Sequence, residues 1–186
     1  MKRLFDLVIS LVLFIVLIPL FLIIGISIKI DSRGPVFFKQ NRIGRHKKEF
    51  LIYKFRTMKL DTPNVSTDKL QDANNYITRL GNFLRKTSFD ELPQLLNIIK
   101  GDMSFVGPRP ALYNQYELID LREKNGVNSC TPGLTGYAQI NGRDMITDVE
   151  KVKYDKYYTE NISIVFDLKI ILNTFVKVIL KKDITN

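Results

Sequence analysis

A long run of uncharged residues near the N-terminus constrains the fold most. It extends from Leu7 to Ile28, and a helix of this length, at about 1.5 Å per residue, reaches across a bilayer core of about 30 Å. Pro19 lies in the middle of the run, where proline removes a backbone hydrogen bond and clashes with the preceding turn. We therefore expect a membrane helix that is broken at Ile18 and Pro19.

Basic residues flank this run on both sides. Lys2 and Arg3 precede it, and seven lysines and arginines follow it between residues 29 and 48. Because basic flanks favour the cytoplasmic side of a membrane, both ends are drawn to the same face. We therefore predict a re-entrant helical hairpin over residues 1–30, which turns at the proline and leaves by the face it entered. A kinked transmembrane helix is the alternative.

The charge of the chain indicates an anionic partner. Lys and Arg number 28 against 19 Asp and Glu, a formal net charge of +9. Such an excess is typical of proteins that bind nucleic acid, acidic lipid headgroups or phosphorylated substrates. Cys130 is the single cysteine and His46 the single histidine, which excludes an intramolecular disulfide and a Cys/His zinc site.

Two short alternating stretches follow the apolar run. They cover residues 35–40 and 49–58, and a basic turn centred on Gly44 separates them. This pattern predicts a β-hairpin. Strand alternation places Lys54 and Arg56 on one side, where they are either solvated charges or ligands of a phosphate group.

An acidic pair begins the next candidate helix. From Leu92 onward, leucine and isoleucine recur at the i, i+3, i+4 and i+7 spacing of a buried stripe, and Gly101 follows as a C-terminal cap. We predict a helix of about three turns with Asp90 and Glu91 at its N-terminus. The positive end of a helix favours ionised carboxylates and attracts phosphate. Alternatively, Ser88 and Glu91 form a capping box that only satisfies backbone donors.

Arginines surround this segment in the sequence. Arg85 lies just ahead of the acidic pair, and Arg109 stands between two prolines whose fixed φ angles would hold a guanidinium ready for an anion. A rigid surface turn is the alternative for Arg109. Arg143 ends a glycine-rich loop over residues 131–143, which allows backbone N–H groups to approach a phosphate but is not a P-loop.

The fold predicted from these segments is of the α+β class. We expect a small, mostly helical cytosolic domain with a short β-hairpin, the N-terminal broken membrane helix and amphipathic interfacial helices. The C-terminal segment over residues 162–182 alternates apolar clusters with lysines. It is suited to lying in a headgroup layer, and packing on the protein core is the alternative.

Together these segments resemble the bacterial sugar transferase family, the monotopic polyprenyl-phosphate phosphoglycosyl transferases. The resemblance covers nearly the whole chain in one order and spacing. The motifs that carry it lie at residues 2–6 (KRLFD), 54–58 (KFRTM), 90–94 (DELPQ), 101–110 (GDMSFVGPRP), 132–136 (PGLTG), 138–143 (AQINGR) and 158–163 (YTENIS). The family often has serine before the membrane proline, where this chain has Ile18.

The resemblance implies a reaction and its residues. It implies transfer of a phosphosugar from a UDP-sugar to a polyprenyl phosphate such as undecaprenyl phosphate, with release of UMP. By position, Asp90 is then the catalytic nucleophile that forms a covalent phosphosugar intermediate, and Glu91 is a catalytic residue and the ligand of Mg²⁺. The expected substrate-binding residues are Lys54, Arg56, Arg85, Arg109, Gln139 and Arg143.

The resemblance also implies a setting for this reaction. Residues 31–186 would be the catalytic domain at the cytoplasmic face of a bacterial inner membrane, with inner-membrane lipids as partners and no nucleic acid. A homo-oligomer is compatible with the sequence. The alternatives are a membrane-tethered basic protein that binds anions without chemistry, and a glycosyltransferase that would release UDP in place of UMP.

Overall fold

The computed structural model describes residues 2–60, 62, 76–142 and 145–180, which form a mixed α and β fold. The α-helices of this part of the chain are α1 (Lys2–Val16), α2 (Ile18–Asp31), α3 (Arg79–Lys86), α4 (Leu95–Lys100), α5 (Tyr116–Lys124), α6 (Tyr137–Ile140), α7 (Asp148–Glu160) and α8 (Ile164–Ile179). The strands are β1 (Phe37–Ile43), β2 (Glu49–Phe55), β3 (Ser104–Val106), β4 (Ala111–Leu112) and β5 (Gly133–Thr135). Short 3-10 helices cover Arg45–Lys47, Phe89–Gln94 and Val127–Ser129.

Helices α1 and α2 meet at a sharp bend. The break lies at Leu17, the helices are inclined by 60°, and Pro19 falls in the first turn of α2. A proline is tolerated there because the first-turn N–H groups have no intrahelical partner. The predicted break is therefore present, but it lies at Leu17, one residue before Ile18. Within the described ranges, no single helix has both the length and the apolar content to cross a bilayer, whereas α1 and α2 have both when taken together.

The predicted β-hairpin is confirmed. β1 and β2 pair antiparallel in a register from Phe37 opposite Phe55 to Ile43 opposite Glu49, with a 3-10 turn between them. The free edge of β1 pairs with β4, so that the strand order is β2-β1-β4. β3 and β5 form a separate parallel pair. The sequence did not predict these three shorter strands.

The bent helix pair shares its core with the rest of the chain. Ile24 and Ile28 of α2 are buried against Phe55 of β2 and Leu84 of α3. A second buried cluster joins Ile52 to α4 and the residues just after it, and Phe14 of α1 packs against it. The apolar helix pair and the acidic-pair segment therefore both contribute to the two clusters that pack against β2.

The acidic-pair segment differs from the predicted three-turn helix. It forms a 3-10 helix over Phe89–Gln94 and only then the α-helix α4, because Pro93 interrupts the hydrogen-bond ladder. The predicted capping box is wrong. Ser88 has a left-handed backbone (φ +58°) instead of the extended one that an N-cap needs, and its side chain makes no cap hydrogen bond. Gly101 does end α4 in the left-handed conformation, with φ +96°.

One face of the C-terminal helix α8 packs on the protein core, whereas its placement in a headgroup layer stays a prediction. Ser163 caps it by accepting a hydrogen bond from the N–H of Phe166. Ile170 is fully buried against Val106 and Tyr158, so one face packs on the core. Another face leaves apolar side chains such as Leu172 exposed. Lys181 and Lys182, which belong to the predicted basic face, lie outside the described residues.

Candidate active site

Three segments bring charged side chains together at the acidic pair. The 3-10 helix Phe89–Gln94 lies on β2, and the Lys54 ammonium is 2.6 Å from Glu91 Oε1 and 4.0 Å from Asp90 Oδ2. The Pro-Arg-Pro corner between β3 and β4 brings Arg109 Nη2 to 3.2 Å from the same oxygen of Glu91. Strand, helical turn and proline corner therefore converge on one pair of carboxylates.

Asp90 is a buried carboxyl group surrounded by charges. Its exposed fraction is only 8%. Burial raises the pKa of Asp90, because a low dielectric disfavours the charged form. The positive charge of Lys54 opposes this rise, and the negative charge of Glu91 adds to it. Arg85 and Arg109 also oppose the rise. The ionised form of Asp90 thus depends on the cations that surround it.

Arg85 lies near this pair at the end of α3, as predicted. Its Nε donates to Thr57 Oγ1 at 3.0 Å, and its Nη2 is 3.2 Å from Met58 Sδ. Burial lowers the pKa of Arg85, and the nearby carboxylate of Asp90 opposes that shift. Arg85 is held in place by the segment that follows β2 and lies within electrostatic range of Asp90.

Arg42 is a site residue that the sequence reasoning missed. Its Nη1 donates to the carbonyl of Pro110 at 3.1 Å, and its Nη2 donates to Gln40 Oε1 at 2.8 Å. Burial lowers the pKa of Arg42 to about 10, Arg109 lowers it as well, and Glu91 opposes the shift. The pairing of the hairpin contained the signal for Arg42. Arg42 lies opposite Phe50, and Phe50 is on the same face of β2 as Lys54, so Arg42 and Lys54 share one face of the sheet.

The structure does not bring all predicted substrate-binding residues to this group. Arg56 is buried, and its guanidinium donates to Arg33 and Ser32 at the end of α2 instead of contacting the acidic pair. The Gln139 side-chain amide donates to the carbonyl of Leu134, at 3.3 Å, in the α6 region. Arg143 lies outside the described residues. Their assignment to substrate binding stays a prediction.

The group carries a surplus of positive charge. Two carboxylates face four cations, which leaves a formal charge of +2. The members are Asp90 and Glu91 against Lys54, Arg85, Arg109 and Arg42. Such an arrangement can bind a multiply charged anion and stabilise negative charge that develops on it, because the buried surroundings weaken solvent screening.

The carboxylates of Asp90 and Glu91 are of the donor type that could hold Mg²⁺. No group of three or more His, Cys, Asp and Glu side chains that could hold a metal ion occurs among residues 2–60, 62, 76–142 and 145–180. Mg²⁺ commonly binds through one or two carboxylates together with waters and substrate phosphates. Lys54 and Arg109 both contact Glu91 Oε1. The two residues fit an ion that arrives with a diphosphate.

Fold and site together place a positively charged group of side chains next to a bent apolar helix pair. A family model described as "Bacterial sugar transferase" matches residues 1–181. The chain belongs to this family, and the prediction of an enzyme of this class is confirmed.

Relatives with curated names agree with this assignment. The uncharacterized sugar transferase EpsL of Bacillus subtilis (strain 168) is 44% identical over 99% of this chain and 90% of that protein. The UDP-glucose:undecaprenyl-phosphate glucose-1-phosphate transferase of Escherichia coli (strain K12) is 40% identical over 95% of this chain and 40% of that protein. The undecaprenyl-phosphate galactose phosphotransferase of Salmonella typhimurium is 35% identical over 98% of this chain and 41% of that protein. The chain therefore spans most of the first relative and about two fifths of the other two.

Proposed function

We propose that this enzyme transfers a sugar 1-phosphate from a UDP-sugar to undecaprenyl phosphate and releases UMP. The observation that carries the proposal is the pair formed by the buried Asp90 and the half-buried Glu91 among four cations, a site for an anion with two or more charges. A UDP-sugar presents such an anion in its diphosphate. The relatives that are named for UDP-glucose and undecaprenyl phosphate support the same pair of substrates.

Asp90 is the proposed nucleophile of a two-step transfer. In the first step, an oxygen of Asp90 bonds to the phosphorus that carries the sugar, and the bond from this phosphorus to UMP breaks. In the second step, a phosphate oxygen of undecaprenyl phosphate bonds to that phosphorus, and the bond to Asp90 breaks. The carboxylate is regenerated, and the product is an undecaprenyl diphosphate sugar. An ionised Asp90 is required for the first step.

The cations around the pair have separate tasks in this proposal. Arg109 and Arg85 stabilise charge on the phosphoryl oxygens during transfer, and Lys54 keeps Asp90 ionised. Glu91 would hold Mg²⁺, which would neutralise the diphosphate so that an anionic carboxylate can approach it. The assignment predicts that EDTA stops UMP release and that added Mg²⁺ restores it.

A screen for UMP release tests the reaction. The enzyme in detergent micelles is supplied with undecaprenyl phosphate, Mg²⁺ and each of a panel of UDP-sugars. We expect UMP with at least one sugar, and a labelled phosphosugar that remains on the protein when the lipid acceptor is omitted. Release of UDP would indicate a glycosyltransferase, and release of neither nucleotide would favour a binding protein without chemistry.

The nucleophile has its own test with a matched control. Asp90→Asn should abolish both UMP release and the labelled intermediate while the protein remains folded. Asp120→Asn on the exposed face of α5 removes the same charge elsewhere and should leave the rate unchanged. UMP release at the full rate by Asp90→Asn would exclude Asp90 as the nucleophile.

We also propose that the α1–α2 pair is a re-entrant hairpin in the inner membrane and that the site faces the cytoplasm. The 60° bend and the basic flanks at both ends support this topology. Cysteines introduced at the exposed positions Leu4 and Lys29 should both react with a reagent added from the cytoplasmic side. Labelling of the two positions from opposite sides would show a broken transmembrane span. Burial raises the pKa of Cys130 to about 11, so the native thiol should react slowly.

A further inference from the structure

Each carbonyl group of the Pro-Arg-Pro corner accepts a hydrogen bond. Pro108 and Pro110 have no N–H groups, so their backbone can be fixed only by donors that come from elsewhere. Each of the three consecutive carbonyls receives one. Gly133 N–H donates to Pro108 at 2.9 Å, Arg122 Nη1 donates to Arg109 at 2.8 Å, and Arg42 Nη1 donates to Pro110 at 3.1 Å.

Arg122 is itself held on its far side. It projects from α5, and its Nε and Nη2 both donate to Asp155 Oδ2 of α7, at 3.1 and 2.7 Å. Arg122 and Asp155 are almost completely buried, and neither belongs to the charged group at the acidic pair. Their ion pair thus connects the packing of two helices to the main chain of Arg109.

We propose that Arg122, anchored by Asp155, is a positioning residue for the transfer reaction. By holding the carbonyl of Arg109, it fixes the direction in which the Arg109 guanidinium leaves the corner toward Glu91 and the substrate phosphates. This inference rests on the proposed function, because it assigns Arg122 an effect on transfer through Arg109.

We call the Arg122–Asp155 ion pair the brace, and the geometry explains why it matters for Arg109. Arg109 Nη2 reaches Glu91 from a side chain that is about one third exposed, so packing around the guanidinium constrains it only partly. The hydrogen bond from Arg122 to the Arg109 carbonyl adds a constraint on the main chain from which this side chain starts. A displacement of about 1 Å at a positioning group can reduce a rate about 100-fold. Loss of the brace should therefore reduce the rate without removing any group that touches the substrate.

The test is a double-mutant cycle between the brace and Arg109. The brace is removed by Arg122→Met together with Asp155→Leu, because replacing both members of a buried ion pair leaves no uncompensated charge and is often compatible with folding. The second change is Arg109→Met. The rate of UMP release and the KM for the UDP-sugar are measured for the enzyme, the brace variant, Arg109→Met and the combined variant.

We expect the brace variant to lose about 10- to 100-fold in kcat/KM, mainly in kcat, since positioning acts in the transition state. Added to Arg109→Met, the same two changes should alter the rate by less than about threefold, because their effect passes through Arg109. Multiplying effects, or an unchanged rate in the brace variant, would overturn the proposal. Arg45→Met serves as the control, since its Nε also donates to a carbonyl, that of Ser129, away from the corner.

Two further measurements keep the outcome decisive. If the double replacement does not fold, Arg122→Lys retains a charge beside Asp155, but an ammonium cannot reproduce the three-nitrogen fork, and the same loss is expected. Hydrogen exchange over residues 107–112 reports the corner without any reaction. It should accelerate in the brace variant while the β1–β2 hairpin is unchanged. Unchanged exchange refutes the brace even if no UDP-sugar yields UMP, an outcome that would separately refute the proposed function.

Discussion

Arg56 provides a direct test of what the structure adds to the sequence. The KFRTM motif places it two residues after Lys54, and both were predicted to bind substrate. In the structure, the Arg56 guanidinium donates to the carbonyls of Ser32 and Arg33 and to Ser32 Oγ, and only 5% of the residue is exposed. We therefore expect Arg56→Met to reduce stability rather than the rate of transfer.

The expected loss follows from these contacts. A hydrogen bond to a charged group contributes about 1.5–3 kcal/mol. Ser32 and Arg33 lie near the surface, so water can replace part of the lost bonding, and we expect a net loss of about 2–4 kcal/mol for the three bonds. For a chain of this length, that corresponds to a decrease in Tm of about 5–15 °C.

Thermal unfolding in detergent, followed by circular dichroism, measures the loss, and UMP release is assayed well below the transition of the variant. Lys54→Met is the matched comparison, because Lys54 is the other cation of the KFRTM motif and its ammonium contacts Glu91. It should reduce kcat/KM strongly. A stable Arg56→Met protein with a strongly reduced kcat/KM would refute the reasoning and place Arg56 at the substrate.

Three other predictions concern ionisation and helix ends. Lys54→Met should move the acid limb of the pH profile of kcat/KM to higher pH. The charge of Lys54 opposes the rise in the pKa of Asp90 that burial causes, so Asp90 needs a higher pH to ionise when Lys54 is absent. An acid limb that does not move would contradict this prediction. Ser88→Ala should change the free energy of unfolding by less than about 0.5 kcal/mol, whereas Thr147→Ala, which breaks the capping box of α7, should cost about 1 kcal/mol in the same thermal assay. Gly101→Ala should cost about 1 kcal/mol, because alanine disfavours φ +96°; no loss would contradict the left-handed cap.

The parts of the fold that sequence predicts are those in which one local pattern dominates. Strict alternation predicted the β1–β2 hairpin, and Pro19 predicted the bend between α1 and α2. β3, β4 and β5 have only two or three residues each, too few for a periodic pattern. Their pairing depends on tertiary approach: a Cβ on Gly133 would clash with the backbone of Gly107, so glycine is needed at this contact.

The site was predictable where residues are close in the chain and less so where they are not. Asp90, Glu91 and Arg85 lie within one short segment, and the structure brings Lys54 and Arg109 to them. Alternation could not distinguish Lys54 from Arg56, because the end of α2 determines the surroundings of Arg56. The carbonyls of Ser32 and Arg33, which follow the end of α2, accept hydrogen bonds from the Arg56 guanidinium.

The start of α1 connects the apolar helix pair to the site. Arg3 donates to the carbonyls of Ile98 and Ile99 at the end of α4, the helix that continues from the acidic pair. Asp6 accepts a hydrogen bond from Ser104 Oγ, at 2.8 Å, on the strand that leads into the Pro-Arg-Pro corner. Both segments that carry site residues are thus tied to the start of the same apolar helix. Because any tilt of α1 would act on both ties at once, the orientation of this apolar helix and the geometry of the site are mechanically coupled in this fold.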